Sequence, residues 1–522
     1  MQKNKLLVLP FLAGLLLIFC SWYLSFPLSQ SSSADSIFSH ISILYWLGFP
    51  LLLTSMCLIA ITFENKYLKW IMTVGCVILF YSLLFFYNTL PTSDANYFRG
   101  LTENFVIKKN LNPQVNNYYQ WPAYFILADV TSTVSGLELV AYEFLLLTIL
   151  GFLLSTALYV YASKINNRGG IFAVLAFFIL SFSFLNYQAA PFTVALCLLF
   201  LLFGLETQRR NASIVLTMII LYIGLTLTHF FVPLFFIAYL LIQLVISRSR
   251  KNFSFLVLLL AIYFLVQINF AELSFAVHLV QVFVFESDYS NLVAMTLSPV
   301  VGQIDIIAQL FSRTVTLSFA LLCFTGFVFL ATKRKLRDVD KAIFLTGIVF
   351  SGAGVVLYTL GTRTIPLIFV PLSIGILYLL TSRFRSYLKY LVIILLILVV
   401  FIPLHSQYTG YPITFQTKEN IATADFLVEK YDWNSSSIFI SDVGMKWYLA
   451  PMVDGYSRID SDYTSRFGLT NITNYDCIIY SFGLERSLQL SNISIEATSR
   501  QISDKYSIVY NSAFSYVAIK NK

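Results

Sequence analysis

Charged residues are scarce in this chain. Asp, Glu, Lys and Arg make up 11% of the 522 residues, whereas soluble domains carry about 25%. Hydrophobic residues make up 58%, and the mean hydropathy is +0.77. Runs of roughly 20 apolar residues, each long enough to cross a hydrocarbon core of about 30 Å, recur through the first four hundred residues. This composition excludes a soluble globular protein and predicts an all-α polytopic membrane protein.

Several sequence motifs of familiar chemistry are also missing. The chain has no P-loop, no HExxH zinc helix and no GxSxG elbow, which disfavours ATP-driven transport and zincin proteolysis. Of the six cysteines, only Cys477 lies outside an apolar run, so no disulfide framework or metal-spaced cysteine set is indicated. The formal charge of +8 does not indicate nucleic-acid binding, because basic residues in so apolar a chain act as topology signals.

The apolar runs predict about thirteen transmembrane helices. The first run follows Lys3 and Lys5 and lacks a clean small-residue cleavage site, so we interpret it as an uncleaved span rather than a signal peptide. The predicted spans are 6–25, 42–63, 70–88, 137–162, 170–186, 190–206, 213–228, 231–247, 253–271, 306–332, 342–360, 364–381 and 389–404.

The basic residues predict the orientation of these spans. The connections on one side hold 19 Lys and Arg residues, the opposite connections and span ends hold 5, and the remaining 10 follow residue 404. Basic residues are enriched on the cytoplasmic side of membrane proteins. We therefore expect a multi-pass plasma-membrane protein with a cytoplasmic N-terminus and an extracytoplasmic C-terminal region.

Two extracytoplasmic regions are longer than simple turns. We expect a transmembrane domain over 1–404, which includes an external loop at 89–136, and a small α/β or α+β domain over 405–522, where short β-rich runs occur at 438–440, 477–480 and 506–509. A third region, 272–305, mixes apolar and acidic residues. It is typical of a helix on the membrane surface, with an additional pair of spans as the alternative.

The loop at 89–136 has helix-like stretches on both sides of Pro113, and Asp94 follows a predicted span end within it. One interpretation of Asp94 is a helix cap that accepts backbone N–H bonds. The functional interpretation is a carboxylate at the membrane boundary that accepts a proton or holds a divalent metal ion while it faces a lipid-borne substrate.

Aromatic side chains surround Asp94 in the loop. An interfacial aromatic belt explains such rings without any ligand, and stacking on the face of a sugar is the alternative. The rings belong to Tyr97, Tyr118, Tyr119, Trp121 and Tyr124.

Three ionisable residues near the outer span ends are further candidates for substrate binding. His229 lies at the outer end of the seventh predicted span, where it is either a site residue or a packing histidine. Arg363 begins a span on the side that has few basic residues, so it either binds lipid phosphate or extends to ordinary head groups. Arg313, inside the tenth span, is a second arginine of this kind. Glu138, Glu143 and Glu206 lie at span ends and are interpreted as interfacial charges.

The chain resembles the GT-C superfamily of integral membrane glycosyltransferases, in particular archaeal and bacterial members akin to protein mannosyltransferases and lipid A aminoarabinose transferases. The resemblance rests on SDANYF around Asp94, on YYQWPAYFIL before the next span, on LTLTHFFVP around His229 and on the external C-terminal domain. It implies that Asp94 is a catalytic base or metal-associated carboxylate, that Arg363 contacts a polyprenyl phosphate, and that His229 faces the cavity. The sequence lacks a paired acidic motif at Asp94 and the WWDYG-type signature of oligosaccharyltransferases.

The resemblance implies a polyprenyl phosphate sugar as donor and a protein, lipid or glycan as acceptor, without nucleic acid and with no certain cofactor. Two alternatives belong to other classes. A flippase or transporter of a lipid-linked glycan predicts polar residues through the middle of the spans, where this sequence has few. An envelope-assembly protein needs far fewer spans to anchor one external domain.

Overall fold

A computed structural model describes most of the apolar part of the chain and parts of the tail. The described residues are 8–25, 41–63, 65–82, 84–86, 93–109, 111, 117–164, 170–185, 189–208, 210–247, 251–270, 303–333, 336–356 and 368–375, and in the tail 423, 426–427, 438–440, 449, 459–460, 477–481, 506–511 and 515–520.

The described part of 1–404 is helical. In chain order its helices are α1 Val8–Ser25, α2 Ile43–Thr62, α3 Lys66–Tyr81, α4 Ser93–Lys108, α5 Ala123–Ser135, α6 Leu139–Ser163, α7 Gly170–Leu185, α8 Pro191–Glu206, α9 Ala212–Thr228, α10 Val232–Ser247, α11 Lys251–Phe270, α12 Gln303–Thr332 and α13 Asp338–Val356. Short 3₁₀ turns at Leu84–Phe86 and Asn117–Gln120 lie on either side of α4. Residues 368–375 are also helical.

Within the described residues, three segments have the length and composition needed to cross a membrane, namely Val8–Ser25, Ile43–Ala60 and Leu139–Ser163. Seven further apolar helices contain 10 to 17 residues. Helices overlap the first eleven predicted spans, and 368–375 lies in the twelfth. The span predicted at 389–404 and all but the last three residues of 272–305 lie outside the described residues.

Helix α3 ends at Tyr81, seven residues before the span end predicted from hydropathy. The backbone carbonyl of Ser82 accepts a hydrogen bond from the indole N–H of Trp22 at 2.8 Å, and the Ser82 hydroxyl lies 3.1 Å from that of Tyr45. Side chains of α1 and α2 therefore form hydrogen bonds with the carbonyl and hydroxyl of Ser82 at the end of α3. Hydropathy does not detect such a change, because the residues that follow are also apolar.

Asparagine side chains begin two helices. Asn65 accepts from the backbone N–H groups of Tyr67 and Leu68 at the start of α3, and Asn211 accepts from that of Ile214 at the start of α9, at 2.9 Å. Each cap satisfies N–H groups that have no partner within the helix.

Helix α7 lies at the centre of the helical part. Every residue from 170 to 180 is buried, as expected for a helix that is apolar on all sides. The ring of Phe178 stacks on that of Phe80 from α3, with centroids 4.8 Å apart, and Phe177 packs edge-on against Phe200 from α8 at 5.2 Å. The helices that follow the predicted external loop therefore share one core with those that precede it.

Helices α1 and α2 cross at very short range. A Cβ atom at Gly14 would lie 2.7 Å from the backbone nitrogen of Leu52, and one at Gly48 would lie 3.0 Å from the carbonyl oxygen of Gly14. Glycine at both positions therefore allows the two backbones to approach.

A buried polar cluster joins α6 to the start of α13. Asp340 is fully buried and accepts a hydrogen bond from the hydroxyl of Tyr161 at 2.6 Å and one from Nη2 of Arg337 at 2.8 Å. Burial acts to lower the pKa of Arg337, but its hydrogen bonds to Asp340 and the charge of that carboxylate outweigh this effect and raise the pKa above its ordinary value. The guanidinium therefore stays charged beside Asp340.

The described residues of the tail form a five-stranded mixed sheet. Its strands are β1 Ile438–Ile440, β2 Ile459–Asp460, β3 Cys477–Ser481, β4 Tyr506–Asn511 and β5 Ser515–Lys520, in the order β2-β1-β3-β5-β4. β1 runs parallel to β2 and β3, and β5 runs antiparallel to β3 and β4. The strands predicted at 438–440, 477–480 and 506–509 are confirmed, whereas β2 and β5 were not predicted.

Candidate functional site

The described residues of the predicted external loop form two helices, as the sequence predicts. Helix α4 begins at Ser93 and ends at Lys108, and α5 covers Ala123–Ser135. Asp94 lies in the first turn of α4, where the partial positive charge of the helix N-terminus favours a carboxylate. The side chain of Asp94 and the turn around Pro113 lie outside the described residues, so the capping and catalytic roles of Asp94 both stay predictions.

A buried ion pair connects α4 to α6. Nε of Arg99 donates to Oε1 and Oε2 of Glu143 at 3.1 and 3.0 Å, and Nη2 also donates to Oε2. The two side chains are 0% and 3% exposed. Two-pronged contacts of this kind combine charge with a fixed geometry.

The interpretation of Glu143 and Glu206 as plain interfacial charges is therefore wrong. Glu143 is buried against Arg99, and Glu206 is buried against Arg210, one turn further along the chain. Glu138 is exposed, as predicted. An acidic residue among apolar neighbours is a signal for a buried partner, but the partner of Glu143 lies 44 residues away, and the sequence alone does not identify it.

Two tyrosine hydroxyls attach the loop to its surroundings. Tyr124 of α5 donates to the carbonyl of Ala189, just before α8, at 2.6 Å, and Tyr119 donates to the carbonyl of Leu101 in α4 at 2.7 Å. Burial, reinforced by the nearby carboxylate of Glu143, raises the pKa of Tyr124 well above its ordinary value. Its hydroxyl therefore stays protonated and remains a donor at physiological pH.

Aromatic rings pack between α4 and α5. The ring of Phe98 lies edge-on to Tyr118 at 4.9 Å and to Tyr124 at 6.2 Å, and Tyr97 lies 6.2 Å from Tyr118. Tyr97 and Tyr118 remain partly exposed, whereas Tyr119 is buried against Phe125. The partly exposed rings are the ones with a surface that a ligand could contact in this conformation.

Trp121 connects the loop to the turn between α9 and α10. Its buried ring lies 5.7 Å from that of Phe230, which directly follows His229. The backbone N–H of His229 bonds to the carbonyl of Leu225 and ends α9. Its Nδ1 accepts a hydrogen bond from the backbone N–H of Phe231 at 3.1 Å, so the neutral imidazole carries its proton on Nε2.

The structure thus brings most of the predicted site residues into one region. Tyr97 and Tyr118 are in ring contact beside α4, and Tyr119 bonds to the carbonyl of Leu101 in α4. Trp121 contacts Phe230, the residue after His229. Arg313 lies in α12, but its side chain is outside the described residues. Arg363 lies outside them entirely, so its prediction as a phosphate ligand is not tested.

No group of three or more His, Cys, Asp or Glu side chains that could hold a metal ion occurs among the residues described. Because the side chain of Asp94 is not among them, a divalent metal ion at that residue stays a prediction.

Two solved structures align with this chain at low sequence identity. No family model matches the chain, and no curated protein matches its sequence. Among solved structures, apo ArnT from Cupriavidus metallidurans aligns with a TM-score of 0.48 and 10% identity, over 87% of this chain and 98% of that chain. The apo oligosaccharyltransferase from Archaeoglobus fulgidus aligns with a TM-score of 0.48 and 13% identity, over 90% of this chain and 74% of that chain.

Proposed function

We propose that this protein is a membrane glycosyltransferase that moves a sugar from a polyprenyl (dolichyl or undecaprenyl) phosphate to an extracytoplasmic protein, lipid or glycan. The observation that carries the proposal is the folded external loop. Its helix α4, which begins with Ser93 and Asp94, is held on α6 by a buried ion pair, and its rings contact the start of α10 next to His229. An acidic residue in the first turn of a helix that packs on an apolar helical core suits a reaction between a lipid-borne donor and a polar acceptor.

The distribution of basic residues supports the orientation. With 19 Lys and Arg residues in one set of connections and 5 in the other, we place the N-terminus in the cytoplasm. The α4–α5 loop and the C-terminal sheet then lie outside the plasma membrane. A donor that reaches this side already attached to a lipid needs no soluble nucleotide sugar.

In the proposed reaction, the Asp94 carboxylate accepts the proton of an acceptor hydroxyl. The freed oxygen attacks the anomeric carbon, the bond from that carbon to the phosphate oxygen breaks, and the configuration inverts. The polyprenyl phosphate leaves with the bonding electrons, and Arg363 stabilises its charge. The partly exposed rings of Tyr97 and Tyr118 supply surfaces for the sugar.

The positions of buried charges favour a transferase over a flippase of lipid-linked glycans. A flippase needs polar groups along the whole path through the membrane. In the described helices the buried, ion-paired acidic residues lie near helix ends: Glu143 is the fifth residue of α6, Glu206 is the last of α8, and Asp340 is the third of α13. The middle of these helices is apolar.

The proposal is tested by reconstituting the purified protein in liposomes with a panel of labelled polyprenyl phosphate sugars. We expect release of the labelled sugar to water or to added acceptors, together with free polyprenyl phosphate. Movement of lipid-linked glycan across the bilayer without turnover would contradict the proposal and support the flippase. Neither turnover nor movement would support the envelope-assembly protein.

A further inference from the structure

Helix α4 is anchored in the helical core by its buried side chains, among them Arg99 and Leu101. It packs along α5, and α5 packs along α6. One direct contact between α4 and α6 is the pair of Arg99 and Glu143, which are 0% and 3% exposed. Arg99 lies five residues after Asp94, which corresponds to about 7.5 Å along the helix axis.

Burying this pair is costly, and stability alone does not explain it. Moving two charges out of water carries a large desolvation penalty, and well-packed apolar residues of similar volume often replace a buried pair without loss of stability. The pair offers instead a fixed geometry. The guanidinium of Arg99 meets both oxygens of Glu143, so it defines both the separation and the rotation of the two helices.

We propose that Arg99 and Glu143 are positioning residues that set the place of α4 on α6, and through it the place of Asp94 relative to the donor. This inference rests on the proposed function for its catalytic consequence, but its geometric content is independent of that function. A displacement of about 1 Å at a reacting group can reduce turnover by about a hundredfold.

The test removes both charges together, by combining Arg99→Met with Glu143→Leu. We expect this double variant to unfold at nearly the wild-type temperature and to lose about tenfold to a hundredfold in kcat, while the KM for the donor changes by less than about threefold. Arg99→Lys keeps the charge but not the two-pronged contact, so its kcat should lie between those of the wild type and the double variant. Wild-type kcat in the double variant or in Arg99→Lys would overturn the proposal.

The chain offers a matched control in the same loop. Lys109, which directly follows α4, pairs with Asp129 of α5 at 2.5 Å, and the two side chains are 57% and 19% exposed. Exposed pairs contribute little to stability. The combination of Lys109→Met with Asp129→Leu should therefore leave kcat and KM unchanged. A loss of kcat equal to that of the buried-pair variant would assign the effect to loop charge in general.

A distance measurement tests the position of α4 without any turnover. Two spin labels report the separation of α4 and α6. One is attached at Ile107→Cys, on the exposed side of α4, and the other at Glu138→Cys, the exposed residue before α6. The partly exposed Cys20 is first replaced by serine. We expect one narrow distance distribution with the Arg99–Glu143 pair intact and a shifted or broadened one without it. An unchanged distribution would overturn the inference. If the unmodified protein turns over no donor, the proposed function fails, and this measurement still decides the inference.

Discussion

Replacing Asp340 by alanine is expected to cost far more stability than the loss of one surface charge. This fully buried carboxylate accepts hydrogen bonds from the Tyr161 hydroxyl at 2.6 Å and from the backbone N–H, Nε and Nη2 of Arg337 at 2.9, 3.1 and 2.8 Å. Breaking a buried pair typically costs about 3–5 kcal/mol. Because the Arg337 side chain is 27% exposed and can turn towards water, we expect a cost of about 3 kcal/mol.

Asp338 provides the control, since it lies two residues earlier in the same first turn of α13. It pairs with Lys341 at 3.0 Å, and both side chains are about half exposed. Asp338→Ala should cost about 0–1 kcal/mol. Because both aspartates interact with the N-terminal dipole of α13, that contribution is similar in the two variants.

The comparison is made by thermal unfolding in detergent, followed by intrinsic tryptophan fluorescence. One kcal/mol shifts Tm by roughly 2–4 °C in domains of 150 to 250 residues and by less in longer chains. We therefore expect Asp340→Ala to unfold roughly 3–6 °C below wild type and Asp338→Ala within about 2 °C of it. Equal Tm values for the two variants would refute the argument that the buried cluster stabilises the junction of α6 and α13.

Two further predictions concern a helix crossing and the candidate site. Gly375→Ala should destabilise the protein by about 1–3 kcal/mol or more, because the new Cβ would overlap the carbonyl oxygen of Cys323. Gly224→Ala, where the nearest atom would be 3.7 Å away, should be neutral or slightly stabilising. A fall in Tm equal to that of Gly375→Ala would contradict this. His229→Asn should keep the wild-type Tm, because the asparagine amide oxygen can accept a hydrogen bond from the N–H of Phe231. It should lower kcat/KM for sugar transfer about tenfold, which corresponds to the loss of one hydrogen bond to the substrate. Unchanged kcat/KM would make His229 a packing residue.

The sequence predicts those parts of the fold that depend on local pattern. Hydropathy places the helices that overlap the first eleven predicted spans, and the helix-like stretches on both sides of Pro113 predict α4 and α5. It does not predict that α3 ends at Tyr81, because that end depends on hydrogen bonds from Trp22 and Tyr45 to Ser82. It also misses β5, which lies between β3 and β4 in the sheet, since β propensity depends on packing against neighbouring strands and gives only a weak local signal.

The candidate site also has parts that the sequence predicts and parts that it does not. The loop, its rings and His229 are recognisable from residue types at span ends, and contacts such as Trp121 with Phe230 bring them together. The pairing of Arg99 with Glu143 is not recognisable, because it depends on how α4 packs within the fold. Charged residues in apolar surroundings can be identified from sequence, but their partners require the structure.

The most direct test of the proposed function compares Asp94→Asn with Glu138→Gln in reconstituted protein supplied with polyprenyl phosphate sugars. Both changes remove one carboxylate from the same external region and keep the side-chain size, and Glu138 is an exposed residue that makes no side-chain cap at the start of α6. We expect the folded Asp94→Asn variant to lose at least about a hundredfold in transfer, the contribution of a general base, and Glu138→Gln to keep wild-type activity. Transfer that continues at the wild-type rate in Asp94→Asn would contradict the assignment of Asp94 as the catalytic base.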